Sequence, residues 1–306
     1  MGSFSRSGPH GYSEVPVLVQ WMATLKCNLS CRHCLSVSRD NGFGDMPLPS
    51  VKRLIDEVAE MGVEEFLVTG GEPLARDDLP EIIDYLGFRG QNWTLNTAVM
   101  PSEYQMKALR ENSPGFVAVS LDGPGEVHDS FRGRKGSWQE AMDAIGFFRS
   151  LSGVRICAGT TVTSINYRYL EETFHLVAAS GADQWGIHLL VPEGRASHNT
   201  DLFLSKRQLQ RLIKFVARKR EYFNVEMADE IGYLGSMEPL VRDFPLTCGA
   251  GKSQCVILPD GEVVPCTTLD RSFSAGNIHN RPLREIWEDG FSKLRNYEPD
   301  GECREC

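Results

Sequence analysis

Residues 16–34, PVLVQWMATLKCNLSCRHC, run from an apolar segment straight into three cysteines. The Val- and Leu-rich half predicts a β-strand over 16–25. The spacing Cys27-x3-Cys31-x2-Cys34 then puts three thiols in the loop that leaves this strand. What the strand belongs to decides what the loop can reach.

Downstream the chain alternates. An amphipathic helix is expected at 50–62, a strand at 65–69, a helix near 78–87, a strand at 92–97 and a helix at 102–112. Strands at 116–121, 154–163 and 184–191 follow, interleaved with helices at 137–151 and 168–180. Six such β/α units, with short strands rich in Val, Ile and Leu, predict an α/β fold with a parallel sheet covered by helices on its outer face. Six units are two short of a closed eight-unit barrel, so the expectation is a partial (β/α)6 TIM-like barrel. Residues 205–222 read as one more, basic helix. From 246 on, Gly, Pro, short β-like runs and cysteines predict a small β-hairpin/helix module organised by metal. The domain plan is therefore 1–15, an N-terminal extension or tag remnant; 16–200, the barrel; 201–245, a helical linker; and 246–306, the cysteine-rich module.

Composition narrows the function classes. The 306 residues suffice for one barrel-sized domain and a smaller one. Hydrophobic residues at 41% and charged residues at 24% are ordinary globular values. A net charge of −9 argues against nucleic acid or an anionic membrane as partner. No apolar run approaches the roughly 18 residues of a membrane span, and MGSFSRSGPHGYSEVP lacks the apolar core of a secretory signal. The default location is the cytoplasm, where structural disulfides are rare. Of the nine cysteines, only Cys157 stands outside the clusters at 27–34 and 248–306, so metal or iron–sulfur ligation is the first reading of the rest.

The three-cysteine loop sits at the carboxyl end of the first strand, where active sites of β/α folds gather. Three thiolates hold three irons of a cubic 4Fe–4S cluster and leave the fourth open, whereas closed clusters take four cysteines. The alternative is a zinc site with His33 as fourth ligand. On the same rim, "TGGEP" (Thr69 to Pro73) follows the second strand. Its glycines allow close backbone approach and Glu72 supplies a carboxylate, although Gly-Gly-Glu-Pro alone also suits a tight turn.

Cys27-x3-Cys31-x2-Cys34 followed by Gly70-Gly71-Glu72-Pro73 resembles the radical S-adenosylmethionine (SAM) superfamily. The resemblance implies SAM bound to the open iron, with Glu72 accepting from the methionine amino group and His33 packing near the adenine. "SLDGP" (Ser120 to Pro124) resembles the family's fourth-strand motif, which implies that Ser120 and Asp122 line the SAM site. "HDSFRG" (His128 to Gly133) would bring Arg132 to the SAM carboxylate. Asn96 stands at the ribose position, in "TLNTA" where the family often has Thr-Asn-Gly. "VPEGRA" (Val191 to Ala196) resembles the segment that meets adenine, mostly through backbone.

"LTCGAGKSQCVILPDGEVVPCTTL" resembles the first half of a SPASM/Twitch auxiliary-cluster domain. The turn Pro259–Gly261 would reverse a β-hairpin and carry Cys266 back towards Cys248. With Cys303 and Cys306 these cysteines would close around one 4Fe–4S cluster. If the sequence continues past Cys306, Cys248, Cys255 and Cys266 could serve one cluster while Cys303 and Cys306 begin another. A four-cysteine zinc site is the alternative. Cys157, on a strand, is either a buried small hydrophobe or a hydrogen-atom donor as in radical epimerases.

The resemblance implies a 5′-deoxyadenosyl radical that takes hydrogen from an unactivated C–H, and an external flavodoxin- or ferredoxin-like electron donor. SPASM/Twitch relatives mostly modify ribosomal peptides by cross-linking or epimerisation; others oxidise small alcohols or decarboxylate tetrapyrrole and sugar acids. The expected substrate is a peptide, with a small molecule as the alternative and a non-catalytic scaffold as a remote one. The roughly 15 residues before the first strand are expected to be too few for a leader-recognition domain, so a peptide would need a separate recognition protein or would bind the barrel mouth itself.

Overall fold

In the computed structural model, residues 12–36, 44–228, 230, 232–244 and 246–297 are described. Strands β1 (Leu18–Met22), β2 (Glu65–Thr69), β3 (Trp93–Thr97), β4 (Phe116–Ser120), β5 (Arg155–Val162) and β6 (Gln184–Leu189) lie side by side, every pair parallel. Between them run α1 (Leu48–Met61), α2 (Leu79–Arg89), α3 (Glu103–Glu111), α4 (Gly125–Arg132), α5 (Ser137–Arg149) and α6 (Leu170–Ser180). The partial barrel expected from the sequence is present, and all but one of its helices match the expected segments. The exception is α4, where "HDSFRG" forms a short helix.

One face of each element makes the core. In α1, Val51, Leu54, Ile55, Val58 and Met61 are buried at helical spacing. An isolated helix of this length is marginal in water, so burial of these side chains, each roughly 1.5–3 kcal/mol of gross transfer energy, holds it. Strands β2 and β4 alternate buried and half-buried residues along their length. Phe66, Val68, Val117, Val119, Ile156, Ala158, Trp185 and Ile187 join the layer under the helices. Their neighbours Leu67, Ala118, Gly159 and His188 take the opposite face, which lines the barrel's interior.

The sheet does not stop at six strands. After α7 (Lys206–Lys219), which opens on a capping box of Ser205 and Gln208, β7 (Val225–Met227) adds in parallel to β6. A short helix, α8 (Glu238–Val241), leads away from it. At the other edge β8 (Gln254–Ile257) pairs in parallel with β1, Val19 opposite Cys255. β9 (Glu262–Val264) returns antiparallel to β8 across the expected Pro259–Gly261 turn, with Val256 facing Val264. β10 (Gly276–Asn277) closes the order β10-β9-β8-β1-β2-β3-β4-β5-β6-β7. The cysteine-rich hairpin is thus continuous with the barrel sheet. α9 (Leu283–Asp289) packs it down: the Leu283 amide donates to Glu57 of α1 at 2.5 Å, and the Trp287 indole to the Ser13 carbonyl at 3.1 Å. Among the described residues no helix is long and apolar enough to cross a membrane.

Candidate active site

The loop from β1 is pinned at three places. First, the Gly71 amide donates to the Thr24 carbonyl at 2.6 Å and the Glu72 amide to Lys26 at 2.8 Å. A Cβ at position 70 or 71 would sit 2.4 Å from the Thr24 or Lys26 carbonyl oxygen. The glycine pair therefore admits the backbone that enters the cysteine loop, a neighbour the sequence did not identify. Second, Ser30 donates its amide to the Arg132 carbonyl at 3.2 Å. Third, the Arg195 amide donates to the Cys34 carbonyl at 2.9 Å, and its guanidinium to Cys31 O at 3.2 Å. Gly194, at φ +56°, leaves no room there for a side chain: a Cβ would lie 2.4 Å from Cys34 O. "VPEGRA", Val191 included and half-buried, so reaches the cysteine loop itself.

Within the loop Cys27 is exposed, Cys34 half-buried and Cys31 buried. The Leu29 amide donates to Cys27 Sγ at 3.4 Å, and Arg132 Nη1 approaches Cys31 Sγ at 3.8 Å. Burial raises the Cys31 thiol, and Arg132 pulls it back. Among the described residues no three His, Cys, Asp or Glu side chains already converge as a ligand set; here Cys27 points to solvent while Cys31 lies under Arg132.

Behind the loop sits Glu72, 2% exposed. Its Oε1 accepts from the Leu74 amide at 3.1 Å and Thr97 Oγ1 at 2.8 Å, and its Oε2 from the Ala98 amide at 2.9 Å. Burial pushes its carboxyl up to about 7 against these donors. Thr97 and Ala98 end "TLNTA", so this departure from Thr-Asn-Gly supplies the carboxylate's holders. Asn96, just before them, is half-buried on the inner face of β3.

A second buried constellation joins β4, α4 and β5. Asp122 is fully buried; its Oδ2 accepts from Arg132 Nε at 2.5 Å and its Oδ1 from the Thr161 amide at 2.8 Å. Burial works against its charge, but Arg132 holds the carboxyl below its ordinary range. The Asp122 amide donates to His128 Nδ1 at 3.0 Å, and Asn166 Nδ2 donates to the Asp122 carbonyl at 2.9 Å. His33 stacks on Phe131, centroids 4.4 Å apart and planes 8° from parallel. Burial and the Arg132 guanidinium push its imidazole down to about 3, and burial takes His128 to about 4. Both rings are therefore neutral at pH 7. His33 Nδ1 and His128 Nε2 are buried with no hydrogen-bond partner among the described residues. Ser120 is half-buried on the inner face of β4. Sequence reasoning missed His128, Thr161 and Asn166; the pattern "HDSFRG" contained the first without marking it.

The remaining cysteines separate by surroundings. Cys157 is buried on the inner side of β5, and burial pushes its thiol up to about 12. Cys255 is completely buried in the apolar layer outside β8, its thiol likewise at about 12. That is the setting of a small hydrophobe, unlike the exposed Cys248 and the half-buried Cys266. Cys303 and Cys306 lie outside the described residues.

The donors fit the groups the sequence suggested. Three thiols share one pinned loop, a buried carboxyl raised to about 7 stands behind it to receive an amine, and two buried imidazole nitrogens have no partner among the described residues. Comparison with known proteins agrees. Residues 21–177 match the family model described as Radical SAM superfamily, and residues 248–306 that described as iron–sulfur cluster-binding domain (SPASM). The chain is 31% identical over 316 residues to the AdoMet-dependent heme synthase of Oleidesulfovibrio alaskensis, covering 94% of this chain and 79% of that protein. It is 30% identical over 302 residues to the mycofactocin maturase MftC of Mycolicibacterium smegmatis, covering 96% and 76%. Among solved structures, SuiB of Streptococcus suis bound to its precursor peptide SuiA superposes with a TM-score of 0.73 at 15% identity, covering 96% of this chain and 70% of that one.

Proposed function

The chain belongs to the radical SAM superfamily, with 4Fe–4S clusters and SAM as its cofactors, and from that premise we propose that it oxidatively matures a peptide at an unactivated C–H bond. The observation that carries the SAM-dependent part of the reading is Glu72, an enclosed carboxylate held by three donors directly behind the three-thiol loop. A structural scaffold has no need of such a group. When bound, the cofactors supply a 5′-deoxyadenosyl radical that takes a hydrogen atom from the substrate.

Cys27, Cys31 and Cys34 would hold the cluster, and Cys248 and Cys266, with Cys303 and Cys306, the auxiliary one. Glu72 would accept from the SAM amino group, and Gly70, Gly71 and Pro73 fix its backbone. Arg132, anchored by Asp122, would face the SAM carboxylate, while neutral His33 and the backbone near Val191 enclose the adenine. Asn96 and Ser120 would line the ribose side. The inner wall of the barrel positions the reacting carbon and excludes water.

A peptide substrate is supported by the mycofactocin maturases among the relatives. A tetrapyrrole is the second reading, favoured by the heme synthases, 29–31% identical over nearly the whole chain. The test is 5′-deoxyadenosine production by the anaerobically reconstituted, dithionite-reduced protein, with host extract split into peptide and small-molecule fractions. Stimulation by the peptide fraction supports maturation; stimulation by the other fraction supports the second reading. No SAM cleavage, in a preparation that holds zinc and no iron, overturns both.

A further inference from the structure

The inner wall of the barrel carries an acid–base pair that none of these roles uses. On β5 and β6, Ile156, Ala158, Thr160, Trp185 and Ile187 turn outward and are buried. Cys157, Gly159, Thr161, Gly186 and His188 take the inner face. His188 lies opposite Thr161, whose amide is held by Asp122, whose carboxylate is held by Arg132, which touches Cys31. His188 therefore stands at the cysteine-loop end of the barrel.

Two of its neighbours on the wall have no side chain. A Cβ at Gly186 would lie 3.4 Å from His188 Nε2, and one at Gly159 would lie 3.7 Å from it. The glycines let the ring lie against the wall with 41% of the side chain exposed to the interior. His188 Nδ1 is 3.0 Å from Glu230 Oε1, a carboxylate delivered by the segment after β7. Burial opposes the Glu230 charge, yet His188 holds it below its ordinary value. The other ionisable groups on the adjoining strands are Arg155 at the far end of β5, exposed and set over the Phe116 ring, Cys157, whose thiol stays protonated, and Glu226 of β7, hydrogen-bonded to Gln184 at 2.9 Å. A carboxylate on Nδ1 fixes the proton there and makes Nε2 the basic nitrogen.

We propose that His188, oriented by Glu230, accepts the proton that a substrate O–H, N–H or S–H gives up during its oxidation. The inference rests on the radical SAM reading above. The substrate carbon loses a hydrogen atom to the 5′-deoxyadenosyl carbon, and its second electron goes to an oxidised iron–sulfur cluster. A heteroatom on that carbon passes its O–H or N–H proton to His188 Nε2, leaving C=O or C=N; where the S–H belongs to a separate thiol, its sulfur bonds to the oxidised carbon as the proton leaves, forming C–S. Net, two electrons, one hydrogen nucleus and one proton leave the substrate. His188 is the catalytic base and Glu230 the positioning residue.

Two measurements test this. In ¹⁵N-histidine-labelled, oxidised holoenzyme at pH 8, wild-type His188 should carry its proton on Nδ1, and Glu230→Gln should move population to the Nε2–H tautomer. A wild-type ring protonated at Nε2, or a tautomer indifferent to Glu230→Gln, overturns the assignment. In turnover with the host fraction that stimulates SAM cleavage, His188→Asn should lower oxidised product by about 10²–10⁴-fold. 5′-Deoxyadenosine should fall less than tenfold, so the ratio of the two rises, and Glu230→Asp should restore part of what Glu230→Gln loses. Product and 5′-deoxyadenosine falling in parallel, or product unchanged in His188→Asn, refutes the role. Absence of 5′-deoxyadenosine from wild type refutes the radical SAM reading instead, and the tautomer measurement stands apart from it.

Discussion

Replacing Glu72 by glutamine separates the charge of this residue from its hydrogen bonds. In the folded protein the Glu72 carboxyl lies at about 7, against an ordinary 4.5. Between those values the native state binds more protons than the unfolded chain, so stability falls as pH rises. The cost is absent below about 4.5 and fully present above about 7. A gap of about 2.5 pH units corresponds to about 3 kcal/mol. The Glu72→Gln side chain would not titrate, but its amide brings N–H groups to a site built entirely of donors. Whichever way it turns, the Ala98 or the Leu74 amide loses its acceptor, at about 1–3 kcal/mol. At pH 5 the variant should be less stable than wild type by about that amount. By pH 8 the difference should vanish or reverse, since wild type has by then lost about 3 kcal/mol. Urea unfolding of the SAM-free protein, followed by tryptophan fluorescence from pH 5 to 8 under argon, reads both curves. Curves that stay parallel across this range would show that Glu72 does not titrate there, and the reasoning would fail.

Three further outcomes follow from the geometry. Gly194→Ala puts a Cβ 2.4 Å from Cys34 O at a φ of +56°, so reconstituted iron per chain should drop by at least half; full loading would mean that the loop shifts freely. Arg132→Met strands the buried Asp122 charge and should cost about 3–5 kcal/mol. Asp122→Asn in the same chain should return most of it, and additive losses in thermal unfolding would count against a coupled pair. Cys255→Ala should cost about 1 kcal/mol of stability with iron content intact, whereas Cys266→Ala should lower iron; the reverse pattern would make Cys255 a ligand.

Local pattern accounts for what could be foreseen. Strands such as 65–69 and helices such as 50–62 announce themselves because one face must be buried and the period shows which. The thiol loop and Glu72 were visible because their spacing is short and their residue types are rare in ordinary turns. α4 escaped because eight residues hold barely two turns of periodicity. β7, three residues long, has none to show. The pairing of β8 with β1, the donors that Thr97 and Ala98 offer to Glu72, and the approach of Glu230 to His188 join residues far apart in sequence. Only the register of the sheet brings them together, and register leaves no mark on a single strand.

The position of β1 between β2 and β8 has a consequence for how the protein is made. While the chain leaves the ribosome, β1 has a neighbour on one side only until Gln254–Ile257 have been synthesised. Throughout that interval the strand that presents the cluster loop is a bare edge, open to wrong partners. Cluster insertion before the last sixth of the chain emerges would load a loop whose supporting strand is half-paired. Nascent chains halted before residue 254 should therefore aggregate and take up little iron, and those released after β9 should do neither.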